Sequence, residues 1–494
     1  MKTTLPESVP TQLFIDGAYV PAADGSTFDL FTPSDGRHWI DVAAASDADV
    51  DRAVASARAA FESGAWSRRS PAERKDLLLA FADRIEAAAK ELATLDAADA
   101  GRPITEAIGF DAPDTVHTIR WYAEAVDKLY GKIAPSGEDN LGLIVREPVG
   151  VVGAVLPWNF PAQVLAWKLG PALAAGNSLV VKPPELAPLS TLRLAELAVE
   201  AGLPPGVFNV VPGLGHVAGR AVGLHPGVDA VTFTGSTEIG REFLRYSAES
   251  NLKRVVLELG GKSPQVVMPD AKGLLPEVAA DLANAIFFAA GQNCTAGSRI
   301  IVSNEIRGAL TDLLAEQAEG YRVGDSLDAE TTMGPLIEPS AVDRVARYVD
   351  EARAGGATVV TGGERVRPDS GGYFYAPTVV TDVTPDQPLV REEIFGPVVA
   401  VLGFDTESEA IRLANDTTYG LAATVWSKDI DTAIRSARAI RAGTVAVNGY
   451  SEGDITTPFG GYRQSGFGGR DNGTEAFDQY TETKTIWVSL GGAG

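Results

Sequence analysis

Val151-Val152-Gly153-Ala154-Val155-Leu156 is an unbroken apolar run, which is typical of a strand buried on both faces of a sheet. It is the first of several such runs, and stretches with helical spacing of their apolar residues separate them. The later runs lie at 178–182, 207–211, 230–233 and 254–257. This alternation predicts an α/β fold with a parallel sheet and crossover helices, and it places the expected ligand site at the carboxyl ends of the strands.

The chain on either side extends this pattern. A second α/β series begins at 264–268, passes through 291–303 and ends near 445–448. Before the first series, Ser46 and Ser70-Pro71 are the expected starts of two long helices, because serine caps helices and proline suits their first turn. The tail 480–490 alternates like an edge strand and should add to a sheet of this or a neighbouring subunit.

The composition narrows the classes of function. A net charge of −23 disfavours nucleic acid and anionic membranes as partners. No uninterrupted apolar run reaches the length of a membrane span, and the first residues lack a hydrophobic signal core. The single cysteine, Cys294, cannot form an internal disulfide and fits a reducing cytoplasm. The four histidines lack the spacing of zinc ligands, so no metal site is expected.

Two glycine-rich strand exits predict where a phosphate would bind. Phe233-Thr234-Gly235-Ser236 lies where a strand meets a helix, and free N–H groups at a helix start can hold a phosphate. The alternative is an ordinary strand-to-helix turn with a serine cap. Gly215 and Gly219 follow a second strand exit of the same series.

Lys182 and Glu185 follow another strand of the series, in the segment Lys182-Pro183-Pro184-Glu185. A lysine and a glutamate there would bind the two hydroxyl groups of an adenosine ribose. The carboxylate would also repel a 2′-phosphate, which favours NAD over NADP. The alternative is an ordinary surface ion pair.

Three residues at the ends of strands or helices have side chains suited to catalysis. Asn159 follows the first strand, and its amide can donate to a developing oxyanion. Glu258 follows an apolar run, where partial desolvation would raise the pKa of its carboxyl and suit it to act as a general base. Cys294 lies between glycines and is either a buried small hydrophobe or a nucleophile. Because the three converge on one glycine-rich cleft, we interpret Cys294 as the nucleophile.

Seven motifs follow one another along nearly the whole chain: PWNFP (157–161), KPPE (182–185), FTGSTEIG (233–240), LELGGKSP (257–264), GQNCTAGSR (291–299), EEIFGPV (392–398) and PFGGYRQSGFG (458–468). In this set and order the sequence resembles the aldehyde dehydrogenase superfamily. The resemblance implies a Rossmann-type parallel-sheet NAD domain (1–128 and 149–260), an α/β catalytic domain (261–470) and a small bridging β-sheet (129–148 and 471–494). It also implies a homodimer or homotetramer.

The resemblance implies roles for individual residues. Cys294 would attack an aldehyde to give a thiohemiacetal and then a thioester, Glu258 would activate water, and the Asn159 side chain with the Cys294 N–H would form the oxyanion hole. Glu393 and Phe395 would position the nicotinamide ribose and ring of NAD. The other expected cofactor residues are Leu156, Pro157, Trp158, Lys182, Glu185, Gly215, Gly219, Phe233, Gly235, Ser236, Leu259 and Gly260.

Two positions depart from the pattern of the superfamily. Ala289-Ala290 stand where many relatives have Asn-Gln after the paired phenylalanines, and Pro184 replaces a small residue. Neither departure removes a chemical group that the expected mechanism needs, but both concern the geometry of loops at the site.

Shorter stretches at 120–131, 144–151, 452–454 and 483–490 resemble the γ-glutamyl-γ-aminobutyraldehyde and ω-aminoaldehyde dehydrogenases within the superfamily. Glu452, Asp454 and Asp114 would then attract a cationic tail at the mouth of a substrate tunnel, unless they are solvated acids of a very acidic protein. The expected substrate is a medium-length aliphatic or amino aldehyde. The residues expected to contact it are Phe160, Trp167, Phe288, Asn293, Thr295 and Asp454.

Two other functions stay open at this stage. A CoA-acylating dehydrogenase would pass the thioester to CoA instead of water, and such relatives typically lack the glutamate found at position 258. A catalytically silent homologue would be a structural or binding protein. The presence of both Cys294 and Glu258 favours the hydrolytic enzyme.

Overall fold

The computed structural model describes residues 3–5 and 8–490. Within these residues the chain forms four β-sheets, and helices pack around the two largest. The helices of four or more residues with α geometry are Asp47–Ser63, Pro71–Ala87, Ala89–Asp99, Ala112–Ala125, Pro161–Ala175, Leu189–Glu200, Arg220–Leu224, Thr237–Glu249, Leu275–Phe287, Arg307–Glu319, Pro339–Ala354, Pro388–Arg391, Glu407–Asn415, Ile430–Ala439 and Phe477–Tyr480.

The first large sheet contains the strands predicted around 151–156. Its order is Gly466–Phe467, Arg254–Glu258, Ala230–Thr234, Val151–Val155, Ser178–Lys182, Phe208–Val210, Leu13–Ile15 and Ala18–Val20. The strands from Arg254–Glu258 to Phe208–Val210 are parallel, as predicted. The strand order reverses between Val151–Val155 and Ala230–Thr234, and such a reversal opens a crevice at the carboxyl ends of the two strands.

The second large sheet is also mainly parallel. Its order is Thr358–Thr361, Thr378–Thr381, Val398–Phe404, Arg299–Ser303, Pro264–Val267, Ala422–Trp426 and Thr444–Val447. Only the edge strand Thr358–Thr361 runs antiparallel to its neighbour. The short segment 259–263 joins the end of Arg254–Glu258 to the start of Pro264–Val267. The carboxyl edge of the first sheet therefore lies close to the beginning of the second.

Two small antiparallel sheets complete the fold. One has the order Thr481–Ser489, Asn140–Pro148 and Lys132–Ala134, and the other pairs Thr27–Phe31 with His38–Ala43. Strand Thr481–Ser489 pairs along its whole length with Asn140–Pro148 of the same chain. It lies at the edge of its sheet, where Ile486 and Trp487 are exposed.

The starts of the first two long helices agree with the sequence. The N–H of Ser46 donates to Asp49 Oδ2 at 2.9 Å. Ser70 Oγ accepts from the N–H of Glu73 at 3.3 Å. The second helix ends at Ala87, and a separate helix, Ala89–Asp99, follows it.

The composition of one stretch qualifies the expectation about membranes. The stretch Pro269–Gly291 is long and apolar enough to cross a membrane by length and composition, with a mean hydropathy of 1.3. Charged residues interrupt the stretch, so it is not a continuous apolar run. They are too few to bring its mean hydropathy below the level of a membrane-spanning helix. More than half of the stretch is buried, and Val278, Leu282 and Ile286 pack in the core of the second sheet. These contacts are typical of the core helix of a globular domain.

Candidate active site

A cavity of about 1400 Å³ lies where the carboxyl ends of the first sheet meet the second sheet. Residues of both large sheets and of their connecting loops form its wall. The predicted site residues that line it are Leu156, Pro157, Trp158, Asn159, Phe160, Trp167, Lys182, Glu185, Gly215, Gly219, Phe233, Gly235, Ser236, Glu258, Leu259, Gly260, Phe288, Asn293, Cys294, Glu393, Phe395 and Asp454. Thr295 is the one predicted residue that does not.

A strained turn leads into the cysteine loop. Helix Leu275–Phe287 ends, and Ala289 and Ala290 then take φ angles of +53° and +54°. The left-handed region costs a residue other than glycine roughly 1–2 kcal/mol. Gly291 continues at +71°, and a Cβ there would lie 2.2 Å from the carbonyl oxygen of Gly396. The alanines that depart from the pattern of the superfamily thus lie in left-handed backbone directly before the cysteine loop.

The Cys294 thiol is half-buried and lines the cavity. Burial raises the pKa of this thiol well above its usual value, and the carboxylates of Glu452, Glu393 and Glu258 raise it further. Its Sγ lies 3.7 Å from Oδ1 of Asn293. These surroundings therefore favour the neutral thiol over the thiolate.

Asn159 lies directly beside the cysteine loop. It follows strand Val151–Val155 and is 6% exposed, and its Nδ2 donates to the backbone carbonyl of Gln292 at 2.9 Å. The Gln292 side chain in turn accepts from the N–H of Ile337 at 2.9 Å. An Nδ2 group carries two N–H bonds, so one is held by the loop and the other is left for an oxygen bound in the cavity.

Glu258 ends strand Arg254–Glu258, and neither of its carboxyl oxygens has a hydrogen-bond partner among the described residues. Burial and the nearby Asp471 raise the pKa of this carboxyl well above its usual value. Gly460 permits the close approach of the backbone, since a Cβ there would lie 2.5 Å from Glu258 Oε1. A buried carboxyl with a raised pKa and no fixed partner suits a general base that takes a proton from water.

A buried ion pair that was not among the predicted site residues lies beside Glu258. Lys168 Nζ donates to Asp471 Oδ2, and the two side chains are 0% and 1% exposed. Lys168 belongs to the apolar helix Pro161–Ala175, whereas Asp471 comes from near the end of the chain. A lysine within an otherwise apolar helix is a signal that could have found the pair, because ammonium groups are buried only with a partner.

The residues expected to bind the adenosine end of NAD lie together on one side of the cavity. Lys182 Nζ donates to Glu185 Oε2 at 2.5 Å, and the N–H of Gly215 donates to Glu185 Oε1 at 3.4 Å. Ser236 Oγ accepts from the N–H of Ile239 at 3.3 Å and so caps the helix that follows. The serine cap considered as an alternative is therefore present, and the helix start also lines the cavity.

Glu393, Phe395 and Trp158 lie near Gly260 in the same wall. Glu393 Oε1 accepts from the N–H of Gly261 at 3.0 Å, and burial raises the pKa of Glu393 to about 7. A Cβ at Gly260 would lie 2.0 Å from the Glu393 carboxylate, so a larger residue there would displace this side chain. The Trp158 and Phe395 rings meet edge to face at 5.3 Å. An acid and two aromatic rings thus border the space next to the cysteine.

Two aromatic residues expected to contact the substrate, Phe160 and Phe288, pack against a buried cation that was not among the predicted site residues. The Phe160 and Phe288 rings stack with their centres 6.0 Å apart. The Arg102 guanidinium lies 4.5 and 4.6 Å from the two ring centres. It donates two hydrogen bonds to Asp111, at 2.9 and 3.0 Å. This pair holds the wall in place through cation–π contacts.

The three acids expected at the tunnel mouth differ in their surroundings. Asp114 Oδ2 accepts from the indole N–H of Trp167 at 3.0 Å. Asp454 is exposed, and its Oδ1 accepts from the N–H and the hydroxyl of Thr456 at 2.8 and 2.5 Å, which lowers the pKa of this carboxyl. Glu452 lies deeper, beside the neighbours of the cysteine.

Thr295 is fully buried behind the cavity wall. Its hydroxyl contacts the phenol oxygen of Tyr450 at 2.6 Å and donates to Glu452 Oε1. Asn293 Nδ2 donates to Tyr450 Oη at 3.0 Å and to Glu452 Oε1 at 3.1 Å. Both residues that flank Cys294 are therefore held by the same loop. Tyr450 gave no signal in the sequence, whereas Glu452 belongs to the short 452–454 motif.

Comparison with known proteins identifies the family. The family model described as "Aldehyde dehydrogenase family" matches residues 19–486. The aminoacetaldehyde dehydrogenase of Pseudomonas aeruginosa is 52% identical over 480 residues, which cover 97% of this chain and 96% of the relative. The chain belongs to the aldehyde dehydrogenase family. The predicted family, the α/β fold and the aldehyde dehydrogenase class of this enzyme are thereby confirmed.

Other similar proteins are also named aldehyde dehydrogenases. The NADP/NAD-dependent aldehyde dehydrogenase PuuC of Escherichia coli is 46% identical over 483 residues, covering 98% of this chain and 96% of the relative. The solved structure of the Pseudomonas syringae indole-3-acetaldehyde dehydrogenase AldA with NAD⁺ and IAA superposes with a TM-score of 0.96 at 48% identity, over 98% and 97% of the two chains. The solved structure of the γ-glutamyl-γ-aminobutyraldehyde dehydrogenase of Burkholderia cenocepacia superposes with a TM-score of 0.95 at 48% sequence identity. The match covers 98% of this chain and 97% of that chain.

Proposed function

We propose that this aldehyde dehydrogenase uses NAD to oxidise aliphatic and amino aldehydes of small to medium length to their carboxylic acids. One observation carries the proposal. Cys294, Glu258 and Asn159 line a cavity that also contains the expected cofactor residues and a partly acidic, partly aromatic tunnel. The reaction consumes one aldehyde, one NAD⁺ and one water, and it releases the acid, NADH and a proton.

The cofactor side of the cavity fits a dinucleotide. Lys182 and Glu185 offer an ammonium and a carboxylate for the ribose hydroxyls, and the capped helix start at Ser236 offers N–H groups for a phosphate. Glu393 and Phe395 would hold the nicotinamide end. NAD is the cofactor, and it supplies the hydride acceptor when it is bound. The Glu185 carboxylate disfavours the 2′-phosphate of NADP.

Cys294 adds to the aldehyde carbon and forms a thiohemiacetal. The free N–H of Asn159 Nδ2 and the backbone N–H of Cys294 donate to its oxygen and stabilise the negative charge that develops there. Loss of hydride from the same carbon leaves a thioester on Cys294. Glu258 then takes a proton from water, which attacks the thioester and releases the acid and the thiol.

The position of Glu258 in the same cavity as Cys294 supports hydrolysis over transfer to CoA. Neither carboxyl oxygen of Glu258 has a hydrogen-bond partner among the described residues, so both are available to bind the water that hydrolyses the thioester. A CoA-acylating enzyme would have no use for a base there.

The substrate class rests on the acids of the tunnel and on the names of the relatives. Glu452, Asp454 and Asp114 line the cavity, and Phe160, Trp167 and Phe288 give it an apolar wall. One relative is named an aminoacetaldehyde dehydrogenase, and another is named a γ-glutamyl-γ-aminobutyraldehyde dehydrogenase. A wall with both features suits an aldehyde that combines a short alkyl chain with a cationic end.

We also propose a cytoplasmic homodimer or homotetramer. The edge strand Thr481–Ser489 exposes Ile486 and Trp487, and covering such a strand with a second subunit would remove an unprotected sheet edge. The ranges 1–128 with 149–260, 261–470, and 129–148 with 471–494 serve as the cofactor, catalytic and bridging domains. Chromatography with light scattering tests the assembly.

The function is tested by NADH absorbance with a panel of straight-chain, aromatic and amino aldehydes. We expect turnover with NAD that does not require CoA and that disappears in Cys294→Ser. Alkylation of the only cysteine should abolish the signal in the unaltered protein. Turnover that requires CoA, or activity that survives alkylation, would contradict the proposed mechanism.

A further inference from the structure

Four residues form a hydrogen-bonded group around the nucleophile, which we call the Glu452 cluster: Asn293, Thr295, Tyr450 and Glu452. Glu452 Oε1 accepts from Asn293 Nδ2 at 3.1 Å, from Tyr450 Oη at 2.9 Å and from the Thr295 hydroxyl. Asn293 and Thr295 are the direct neighbours of Cys294 in the chain. One carboxylate therefore contacts the residue on each side of the nucleophile.

The cluster is fixed from outside as well. The N–H of Tyr450 donates to Asp281 Oδ2 at 2.8 Å, which anchors the loop to helix Leu275–Phe287. Three donors converge on one oxygen of Glu452 and fix the orientation of its carboxylate. The hydrogen bonds that the described residues make to Glu452 all fall on Oε1, and the residue lines the cavity. Oε2 is left for a ligand.

The charged groups that face the Cys294 sulfur are acids. Glu452, Glu393 and Glu258 each raise the pKa of the thiol by their negative charge. Tyr450 is neutral at physiological pH, because burial and Glu452 raise the pKa of its phenol well above the usual value. None of the leading influences on the pKa of this thiol is a cation. Of these three charges, that of Glu452 raises the pKa of the thiol most.

We propose that Glu452 is the specificity residue for amino aldehydes: its carboxylate, which lines the cavity with Cys294, binds the ammonium group of the substrate. The proposal rests on the proposed function and names a selection mechanism within it. A neutral aldehyde fills the same space but leaves the carboxylate charge unopposed. An amino aldehyde brings the compensating charge with it, so the thiol proton leaves to water more readily when that substrate is bound.

The position of the carboxylate also selects chain length. Glu452 bonds to the side chains of both chain neighbours of Cys294 and lines the same cavity, so it belongs to the part of the tunnel around the cysteine loop. An ammonium group one or two carbons from the carbonyl can pair with it while the carbonyl contacts the thiol. A longer amino aldehyde carries its charge past Glu452, toward Asp114. We therefore expect a preference for the short amino aldehydes.

The first test compares substrates of equal shape. Aminoacetaldehyde and propanal differ only in an ammonium or a methyl end, as do 3-aminopropanal and butanal. Glu452→Gln keeps an oxygen acceptor for the cluster but removes the charge, and Glu277→Gln removes an exposed charge at the start of helix Leu275–Phe287. We expect the ratio of kcat/KM for aminoacetaldehyde over propanal to fall about tenfold or more in Glu452→Gln, as for loss of a charged hydrogen bond, and to stay unchanged in Glu277→Gln. An unchanged ratio in Glu452→Gln overturns the proposal.

The second test needs no turnover. The rate of Cys294 alkylation by iodoacetamide is measured from pH 6 to pH 10 with ethylammonium chloride or with sodium chloride at equal ionic strength. In the unaltered protein, ethylammonium should shift the pH profile to lower pH and speed alkylation near neutrality. Glu452→Gln should react faster than the unaltered protein in sodium chloride and should not respond to ethylammonium. Slower or unchanged alkylation with ethylammonium in the unaltered protein refutes the proposal.

The outcomes separate this inference from the proposed function. If neither propanal nor aminoacetaldehyde yields NADH in the unaltered protein, the function fails. If both are oxidised but Glu452→Gln slows them equally, the function stands and the specificity role of Glu452 fails. Melting temperatures of the two variants establish that each is folded, and the Glu452→Gln alkylation profile decides the charge effect even if its turnover is low.

Discussion

Replacing Lys168 with methionine should destabilise the protein more than any single surface change. Lys168 and Asp471 are 0% and 1% exposed, so solvent does not screen the charge that the replacement leaves behind. Removing one partner of a buried ion pair costs about 3–5 kcal/mol, because the other charge stays buried without compensation. Replacing both, in Lys168→Met with Asp471→Leu, should restore much of this loss.

The assay is urea unfolding of the unaltered protein and its variants at pH 7. Arg435→Met is the matched control, because Arg435 makes a two-pronged pair with Glu407 on the surface, where the side chains are 57% and 36% exposed. Exposed pairs contribute about 1 kcal/mol or less. If Lys168→Met costs no more than Arg435→Met, the assignment of a buried charge pair is wrong.

The same change has a second, catalytic readout. The Lys168 ammonium lowers the pKa of Glu258, while burial and Asp471 raise it. Without the ammonium, the pKa of Glu258 rises further, and Glu258 is protonated up to a higher pH. The acidic limb of the kcat profile should therefore move to higher pH in Lys168→Met. A profile that is unmoved would show that the pair does not act on Glu258.

Glu258→Gln should give a burst of about one NADH per subunit and then almost none, measured by rapid mixing, because thioester hydrolysis loses its base; steady turnover at the normal rate would contradict this role. Since burial raises the pKa of Glu393 to about 7, NAD affinity should weaken as pH falls below 7 and the carboxylate becomes protonated; titration of NAD between pH 6 and 8 should show this dependence in the unaltered protein and not in Glu393→Gln. Glu185→Gln should raise the ratio of NADP to NAD activity about tenfold or more, because a carboxylate no longer repels the 2′-phosphate; equal ratios in steady-state kinetics would refute that. Leu252 is 80% exposed at a φ of +58°, so Leu252→Gly should stabilise the protein by about 1 kcal/mol in urea unfolding; a loss of stability would count against left-handed strain there.

Much of the fold could be predicted because its strands and helix starts are specified by short stretches of sequence. The apolar runs at 151–156 and 254–257 become parallel strands of one sheet, and their carboxyl ends meet at one edge. Asn159 and Glu258 follow these ends, which is why two residues so far apart in the chain line one cavity. Helix starts such as Ser70 were equally clear, since the cap is made by residues three positions apart.

The parts that could not be predicted depend on distant partners. Thr295 and Glu452 are joined by a hydrogen bond, yet nothing in either local pattern specifies the pairing. The same holds for the contact of Arg102 with the tunnel aromatics. Ala289 was equally hidden, because alanine by itself favours a right-handed helix, and only the surrounding packing forces it to a positive φ.

The connection 259–263 has a consequence for engineering. It is the direct covalent link from the strand that ends in the proposed base to the first strand of the catalytic sheet, and its backbone also receives the Glu393 side chain at Gly261. A chimaera that exchanges either half with a homologue must retain this link and its glycines as a unit. Inserting even one residue would change the spacing between Glu258, the proposed base, and Gly261, which holds Glu393. Tags, hinges and permuted termini therefore belong elsewhere in the chain.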